Sequence, residues 1–228
     1  MFGTIVNSFC IIIGSLCGIF IKNGIREEYK NTIMDGIALC VLIIGIMSGI
    51  KSENIILVIC SIVIGSVVGE IIGIENRLEK LGNFLQNKVG GKDSNVSSAF
   101  VTASLIYCVG AMAIVGSLEA GIQGNYETLF AKSILDGISA IIFASTLGIG
   151  VVFSSIAVFI YQGSITLLAS FLKDLLIDSV ILEMSSVGGI LIMAIGINLL
   201  GLKKIKIGNM LPAIFIPIIY YMVISFIK

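Results

Sequence analysis

Five acidic residues lie in or at the edge of apolar runs: Asp35, Glu70, Glu119, Asp136 and Glu183. A carboxylate at the centre of a bilayer costs about 2.5–3.5 kcal/mol on insertion scales, so such a group normally faces a cavity, a partner or an ion pathway. The chemistry open to it there is cation binding or proton carriage, with burial favouring the protonated form. Glu70 and Glu119 fall towards the C-terminal ends of their runs, where the helix dipole disfavours negative charge, so helix stability does not explain them. Glu183, near the start of its run, reads instead as a dipole partner. Asp35 and Asp136 admit two readings. Each follows a hydroxyl (Thr32, Ser133) at the spacing of a capping box. Yet each also precedes a glycine, Gly36 or Gly137, which a cap does not need and a close approach of backbone or ligand would. Asn7 and Gln162 are neutral amides inside apolar runs. They are candidates for the same site, or for interhelical hydrogen bonds worth about 0.6 kcal/mol each.

Other chemistries are poorly served. The chain has no histidine, which removes the commonest transition-metal ligand and general base. Its five cysteines all sit in apolar stretches without a CxxC pair and read as packing residues. There is no nucleophile elbow, metal-ligand cluster or phosphate-binding loop. An enzyme is therefore not expected, nor a metal or cofactor. With 14 basic and 14 acidic residues the net charge is zero, and nucleic acid is not an expected partner.

The elements that must position these groups are membrane helices. Only 12% of the 228 residues are charged and 57% are hydrophobic, with a mean hydropathy of +1.11. Soluble domains carry roughly 25% charged residues. A helix needs about 20 apolar residues to cross the hydrocarbon. Eight runs qualify as candidates: 2–21, 32–50, 55–74, 97–119, 133–153, 156–172, 180–202 and 210–227. Seven is the alternative count, because only Ser154-Ser155 separates the fifth from the sixth. Strand-like alternation is absent, so the expected fold is an all-α integral membrane protein. The first run lacks a basic leader and reads as a retained span. Pro212 and Pro217 predict a bend in the last one.

Two motifs recur. IIIGSLCGI (11–19) followed by TIMDGIA (32–38) returns as AIVGSLEAGI (113–122) followed by SILDGIS (133–139). Gly14-Ser15 thus corresponds to Gly116-Ser117, and Asp35-Gly36 to Asp136-Gly137. With three spans between equivalent points, the second copy is inverted relative to the first, the pattern of many secondary transporters. The units are a repeat over about 1–74, a linker over 75–95, a second repeat over about 97–172 and extra helices over 180–227. The linker has apolar residues at helical spacing and reads as an amphipathic surface helix ended by Gly90-Gly91. Charge sides with this topology. One set of loops holds Lys22, Arg26, Lys30, Arg77, Lys80, Lys88, Lys92, Lys203, Lys204 and Lys206; the other holds Lys51, Lys132, Lys173 and Lys228. Positive residues accumulate in the cytoplasm, which places both termini outside. GxxxG spacings at Gly14/Gly18, Gly45/Gly49 and Gly65/Gly69/Gly73 suit close helix packing, within a chain or in a homo-oligomer, with lipid as the surrounding partner.

The opening MFGTIVN, the stretches GAMAIVGSLEAGI (110–122) and KSILDGISAIIFASTLGIGV (132–151), and YQGSITLLA (161–169) resemble the YqgA/YdfK-like bacterial membrane proteins, the family of domain of unknown function 554. The resemblance spans nearly the whole chain. It implies a multi-pass protein of the bacterial inner membrane, suggests transport, and brings no functional residues with it. The expected function is transport of a small solute or ion by an inverted-repeat protein, with cation or proton coupling. Glu70, Glu119, Asp35, Asp136, Asn7 and Gln162 would bind, and the Gly14-Ser15 and Gly116-Ser117 elements would supply loosened or closely packed backbone. A passive channel and a membrane scaffold without transport are the alternatives.

Overall fold

The protein, seen as a computed structural model, is described over residues 1–22, 27–77, 80, 84, 96–108, 111–172 and 175–227. These residues are helical, with no strand among them. The helices in chain order are α1 (Phe2–Lys22), α2 (Glu27–Gly49), α3 (Ile55–Ile72), α4 (Val96–Cys108), α5 (Ala111–Ile122), α6 (Glu127–Leu147), α7 (Gly150–Leu167), the single turn α8 (Ala169–Leu172), α9 (Asp178–Leu199), a 3-10 helix η1 (Ile207–Phe215) and α10 (Ile216–Ile227). Six helical stretches among the described residues are long and apolar enough to cross a membrane: α1, α3, α6, α7, α9, and η1 with α10. Many large apolar side chains on them, such as Ile43, Ile64, Ile71 and Ile160, are exposed. In water that surface would drive aggregation; in lipid it faces its own kind. Several helix serines satisfy their hydroxyls on their own backbone. Ser61, Ser117 and Ser164 each donate to the carbonyl four residues earlier, at 2.7, 2.6 and 2.6 Å.

Several expected boundaries change, each for a local reason. The fourth span, expected as one run over 97–119, is broken into α4 and α5, whose axes lie 60° apart. The fifth begins at Glu127 rather than 133. Asn125 accepts from the Glu127 N–H at 3.1 Å, and the Glu127 carboxylate complements the positive helix terminus. It ends at Gly148, whose φ of +88° leaves the helical region, and not at Ser154-Ser155. Those serines sit inside α7, donating to the carbonyls of Val151 and Val152 at 2.6 and 2.7 Å. The helix over the expected second span, α2, starts at Glu27, five residues before position 32, and its apolar part, Asp35–Gly49, is shorter than the six stretches above. In the last span the bend expected from proline takes the form of a 3-10 segment: Pro212 lies inside η1, and α-helix begins only at Ile216. The linker helix expected over 75–95 lies outside the described residues, apart from 75–77, 80 and 84.

Two compact units emerge. The first holds α1, α4, α5, α6 and α7. Its spine is α1 against α6. Gly14 meets the Gly137 carbonyl and Gly18 meets that of Ile141, while Phe2 stacks edge-on to Tyr126 and Phe130 at centroid distances of 6.0 Å. Contacts advance along both helices together, so α1 and α6 run parallel. A side chain on Gly14 has no room, which is why glycine stands there. Helix α7 packs on the same pair in the opposite direction, with Gly163 beside Met1 and Thr4, and α4 packs on α7 through Gly150 against Val96 and Ala99.

The second unit holds most of α2 with α3, α9, η1 and α10. Here α2 and α9 cross with Gly45 and Gly49 against Gly189 and its neighbours. Helix α3 lies against η1, where Gly69 meets the Asn209 backbone and Gly65 meets Ala213. The turn before η1 is held by Asn198, whose amide accepts from the Ile205 N–H at 2.8 Å and donates to its carbonyl at 2.9 Å.

Candidate functional site

In the first unit three of the sequence-derived candidates come together. Asp136, near the middle of α6, is only 6% exposed, and Asn7 on α1 and Gln162 on α7 are fully buried. The Asn7 amide nitrogen donates to Asp136 Oδ2 at 3.0 Å and lies 3.3 Å from Gln162 Oε1. Three helices are therefore joined at one amide. Lys132, one turn before Asp136 on α6, completes the group: its Nζ lies 3.1 Å from Oδ1 and 3.0 Å from Oδ2. Lys132 as a whole is only 7% exposed. An ion pair so buried stands only when each charge has the other and further hydrogen bonds besides.

The orientation of both amides follows from the carboxylate. An ionised carboxylate only accepts, so Asn7 must turn its NH2 towards Asp136. That NH2 in turn takes the oxygen of Gln162. Asn7 Oδ1 and Gln162 Nε2 are then left buried with no hydrogen-bond partner. Around them, Thr4 Oγ1, Tyr107 Oη and Thr166 Oγ1 are in the same condition. Thr4 stands one turn before Asn7 on α1, and Thr166 one turn after Gln162 on α7. Unlike Ser117 and Ser164, these threonines do not bond back to their own helices. Tyr107, fully buried at the end of α4, packs on Phe143 of α6 at a ring-centroid distance of 6.2 Å. An unsatisfied buried polar atom costs roughly 1–3 kcal/mol, so several in one place call for an explanation.

Lys132 was expected in an external loop. It lies inside α6 instead, because that helix starts five residues before it at Glu127 and its ammonium finds Asp136 at i+4. Lys132 therefore leaves the set of four basic residues read as external. The i, i+4 spacing of Lys132 and Asp136 was the signal that could have found the pair. Nothing in the sequence singled out Thr4, Tyr107 or Thr166, since their significance rests on tertiary placement.

The capping reading of the two aspartates fails. Thr32 and Ser133 are inside α2 and α6, and their hydroxyls donate back to the carbonyls of Glu28 at 3.2 Å and Leu129 at 2.6 Å. The two copies share this local bond but nothing beyond it. Asp35 is exposed, and a side chain at Gly36 would meet nothing within 4 Å, so no close approach occurs there. Gly137 lies 3.3 Å from Cys10 by the same measure. The Gly14-Ser15 and Gly116-Ser117 elements are unbroken helix, the former packed on Gly137 and the latter on Thr128 and Leu129, so the backbone there is not loosened.

The remaining acids are accounted for by neighbours. Glu119, at the end of α5, accepts from Thr128 Oγ1 at 2.6 Å and clasps the α5–α6 hairpin. In the second unit Glu70 pairs with Lys206 at 2.7 Å and accepts from the Asn209 amide. Lys206, outside the spans, is held above the ordinary lysine range by its hydrogen bond to Glu70. Beside them Glu75 accepts from the Gly208 N–H at 2.7 Å, tying the end of α3 to η1. Glu183 was expected to complement the start of its own helix, but α9 begins five residues earlier at Asp178. Its carboxylate instead accepts from Ser52 Oγ at 2.6 Å and from the backbone N–H groups of Glu53 and Asn54 at 2.9 and 3.0 Å, at the N-terminus of α3.

Comparison with known proteins places this architecture. The profile described as "Protein of unknown function (DUF554)" matches residues 2–222. The "Uncharacterized membrane protein YdfK" of Bacillus subtilis (strain 168) is 38% identical over 228 residues, covering 98% of this chain and 97% of that one. The "Uncharacterized protein YqgA" of Escherichia coli (strain K12) is 28% identical over 218 residues, covering 93% and 92%. No solved structure matches.

Proposed function

This chain belongs to the DUF554 family, and on that footing we propose that it is a transporter of a small solute or ion, working at the Asp136–Lys132–Asn7–Gln162 cluster. One observation carries the reading: a buried charge pair, bridged across three helices, is surrounded by donors and acceptors without partners. Polar groups at this depth in a membrane bundle cost too much to serve packing alone and mark pathways for polar cargo. The broken span ending at Tyr107 and Cys108 adds to it, since discontinuous helices border the sites of many transporters.

The parallel course of α1 and α6 supports an inverted repeat. Two helices crossing the membrane in the same sense require an odd number of crossings between them. Counting α2, whose apolar stretch Asp35–Gly49 is shorter than the others, with α3 and the bent α4–α5 pair gives three, and adding α1, α6, α7, α9 and η1–α10 gives eight. The Lys/Arg asymmetry then puts both termini outside the inner membrane. Each cycle would expose the cluster first to one side and then to the other.

The test is concentrative uptake into proteoliposomes of ions and metabolites chosen by a thermal-shift screen of the purified chain. Asp136→Asn keeps size and shape but removes the charge that organises the cluster, and is expected to abolish uptake while the protein remains monodisperse. Undiminished uptake by that variant refutes the reading. Flux that never exceeds equilibration makes the protein a channel instead.

A further inference from the structure

The cluster is charge-balanced, and this limits its cargo. We infer that the solute carries no net charge and presents a hydrogen-bond donor and an acceptor side by side, as a small amide or a zwitterion does. The inference rests on the transport reading and deepens it.

The argument is electrostatic first. Lys132 and Asp136 sit about 3 Å apart in one buried pair. At an effective dielectric of 20, a unit charge placed 4 Å from either gains or loses about 4 kcal/mol. An ion entering beside the pair therefore meets attraction and repulsion of similar size, gains little net, and still surrenders its hydration shell. A dipolar solute lays its negative end towards the ammonium and its positive end towards the carboxylate, and gains from both.

Hydrogen bonding points the same way. Gln162 Nε2 has donors to spend and no acceptor, while Asn7 Oδ1 has lone pairs and no donor. Both side chains are fully buried. The hydroxyls of Thr4 and Tyr107 can do either and are also unpartnered. A bare cation satisfies the acceptor only, and a simple anion the donor only. A solute with both groups completes the set, and a site built so discriminates strongly against one lacking them.

The test uses proteoliposomes of the full chain in a stopped-flow swelling assay with four probes: urea, glycine, potassium chloride and sodium formate. Protein-dependent entry of urea or glycine is expected, the one identifying an amide site and the other a zwitterion site, with both salts at the rate of protein-free liposomes. Gln162→Leu is expected to lower the solute rate about tenfold, the loss of one buried hydrogen bond to a polar ligand. Gln162→Glu keeps the size of the side chain and gives the cluster a net negative charge. It is expected to lose urea or glycine flux and to gain potassium flux, a change of selectivity that a folding defect does not produce. Unchanged selectivity in this variant overturns the inference. So does protein-dependent movement of the salts alone in the unaltered chain, which leaves transport itself standing. Stillness of all four probes, from protein monodisperse before reconstitution, overturns the inference and leaves the transport reading to the uptake assay.

Discussion

Each unit buries an acid, and the two acids are treated in opposite ways. In the second unit Glu183, 1% exposed, accepts from one hydroxyl and two backbone N–H groups at the start of α3. In the first unit Asp136 has a lysine and a single amide, and the atoms just beyond that amide lack partners. Of the nine buried side-chain atoms without a hydrogen bond among the described residues, eight belong to the first unit, with Ser185 the exception. A satisfied buried acid is a fastener, holding one helix end to another. An acid amid unsatisfied groups fits the binding site proposed above. Depth alone does not separate the two cases; completeness of the hydrogen bonding does.

The largest effect that could break this contrast lies at Glu183. Glu183→Ala leaves the N-terminus of α3 without its anion, and two N–H groups and the Ser52 hydroxyl without an acceptor. At roughly 1–3 kcal/mol for each unsatisfied buried group, the loss is expected to reach about 3 kcal/mol or more. It is read as a large fall in the thermal-unfolding midpoint in detergent. Replacing both members of the buried pair, Lys132→Met with Asp136→Leu, is by contrast expected to move that midpoint little, because the two charges leave together. If the two variants unfold at the same temperature, the distinction between fastener and site is wrong.

Much of the fold was legible in the sequence because lipid imposes one rule on every span: apolar side chains and self-satisfied backbone. That rule reveals where helices are. It is blind to where they start, since a polar residue such as Glu127 or Lys132 looks like a loop until its partner is known. The site was legible in the same measure. Asp136, Asn7 and Gln162 stand out because polar residues in apolar runs are rare. Lys132 was hidden by being read as loop, and Glu183 was assigned to the wrong helix because the Ser52–Asn54 turn that it caps lies about 130 residues away in sequence. The motif repeat carried local information faithfully: Thr32 and Ser133 make the same bond to the preceding turn. It did not carry tertiary information, because Lys132 at the position of Asn31 changes what the following aspartate can do.

The two glycines that follow from the repeat and its packing give a smaller and sharper comparison. Gly14, in the first unit, lies on the Gly137 carbonyl, a backbone atom that cannot swing aside. Gly14→Ala must push α1 off α6 and is expected to cost about 1–3 kcal/mol, as overpacking does. Because α1 carries Asn7, transport should fall as well. Gly36, in the second unit, has open space where its side chain would be. There Gly36→Ala trades a flexible helical residue for a good helix former, and a gain of about 0.5–1 kcal/mol is expected. Thermal unfolding of both variants side by side reads the difference. A loss at Gly36 as large as that at Gly14 would mean the exposed face of α2 is covered by another surface.

The change expected to cost no stability is also the most discriminating. Replacing both members of the buried pair, Lys132→Met with Asp136→Leu, removes two charges together and leaves apolar groups of similar volume. Buried ion pairs recover so little of their desolvation cost that such swaps are often neutral or stabilising, by as much as about 1–4 kcal/mol. The membrane setting strengthens the expectation, since the alternative to the pair is lipid-like packing. An unfolding midpoint equal to or above that of the unaltered chain, together with complete loss of uptake, is therefore the predicted outcome. It separates the two units cleanly, because no equivalent swap exists for Glu183: its partners are backbone N–H groups that cannot be made apolar. A strongly destabilised double variant would show that the Lys132–Asp136 pair fastens α6 to α1 through Asn7, and that the first unit holds a second fastener where a binding site is proposed.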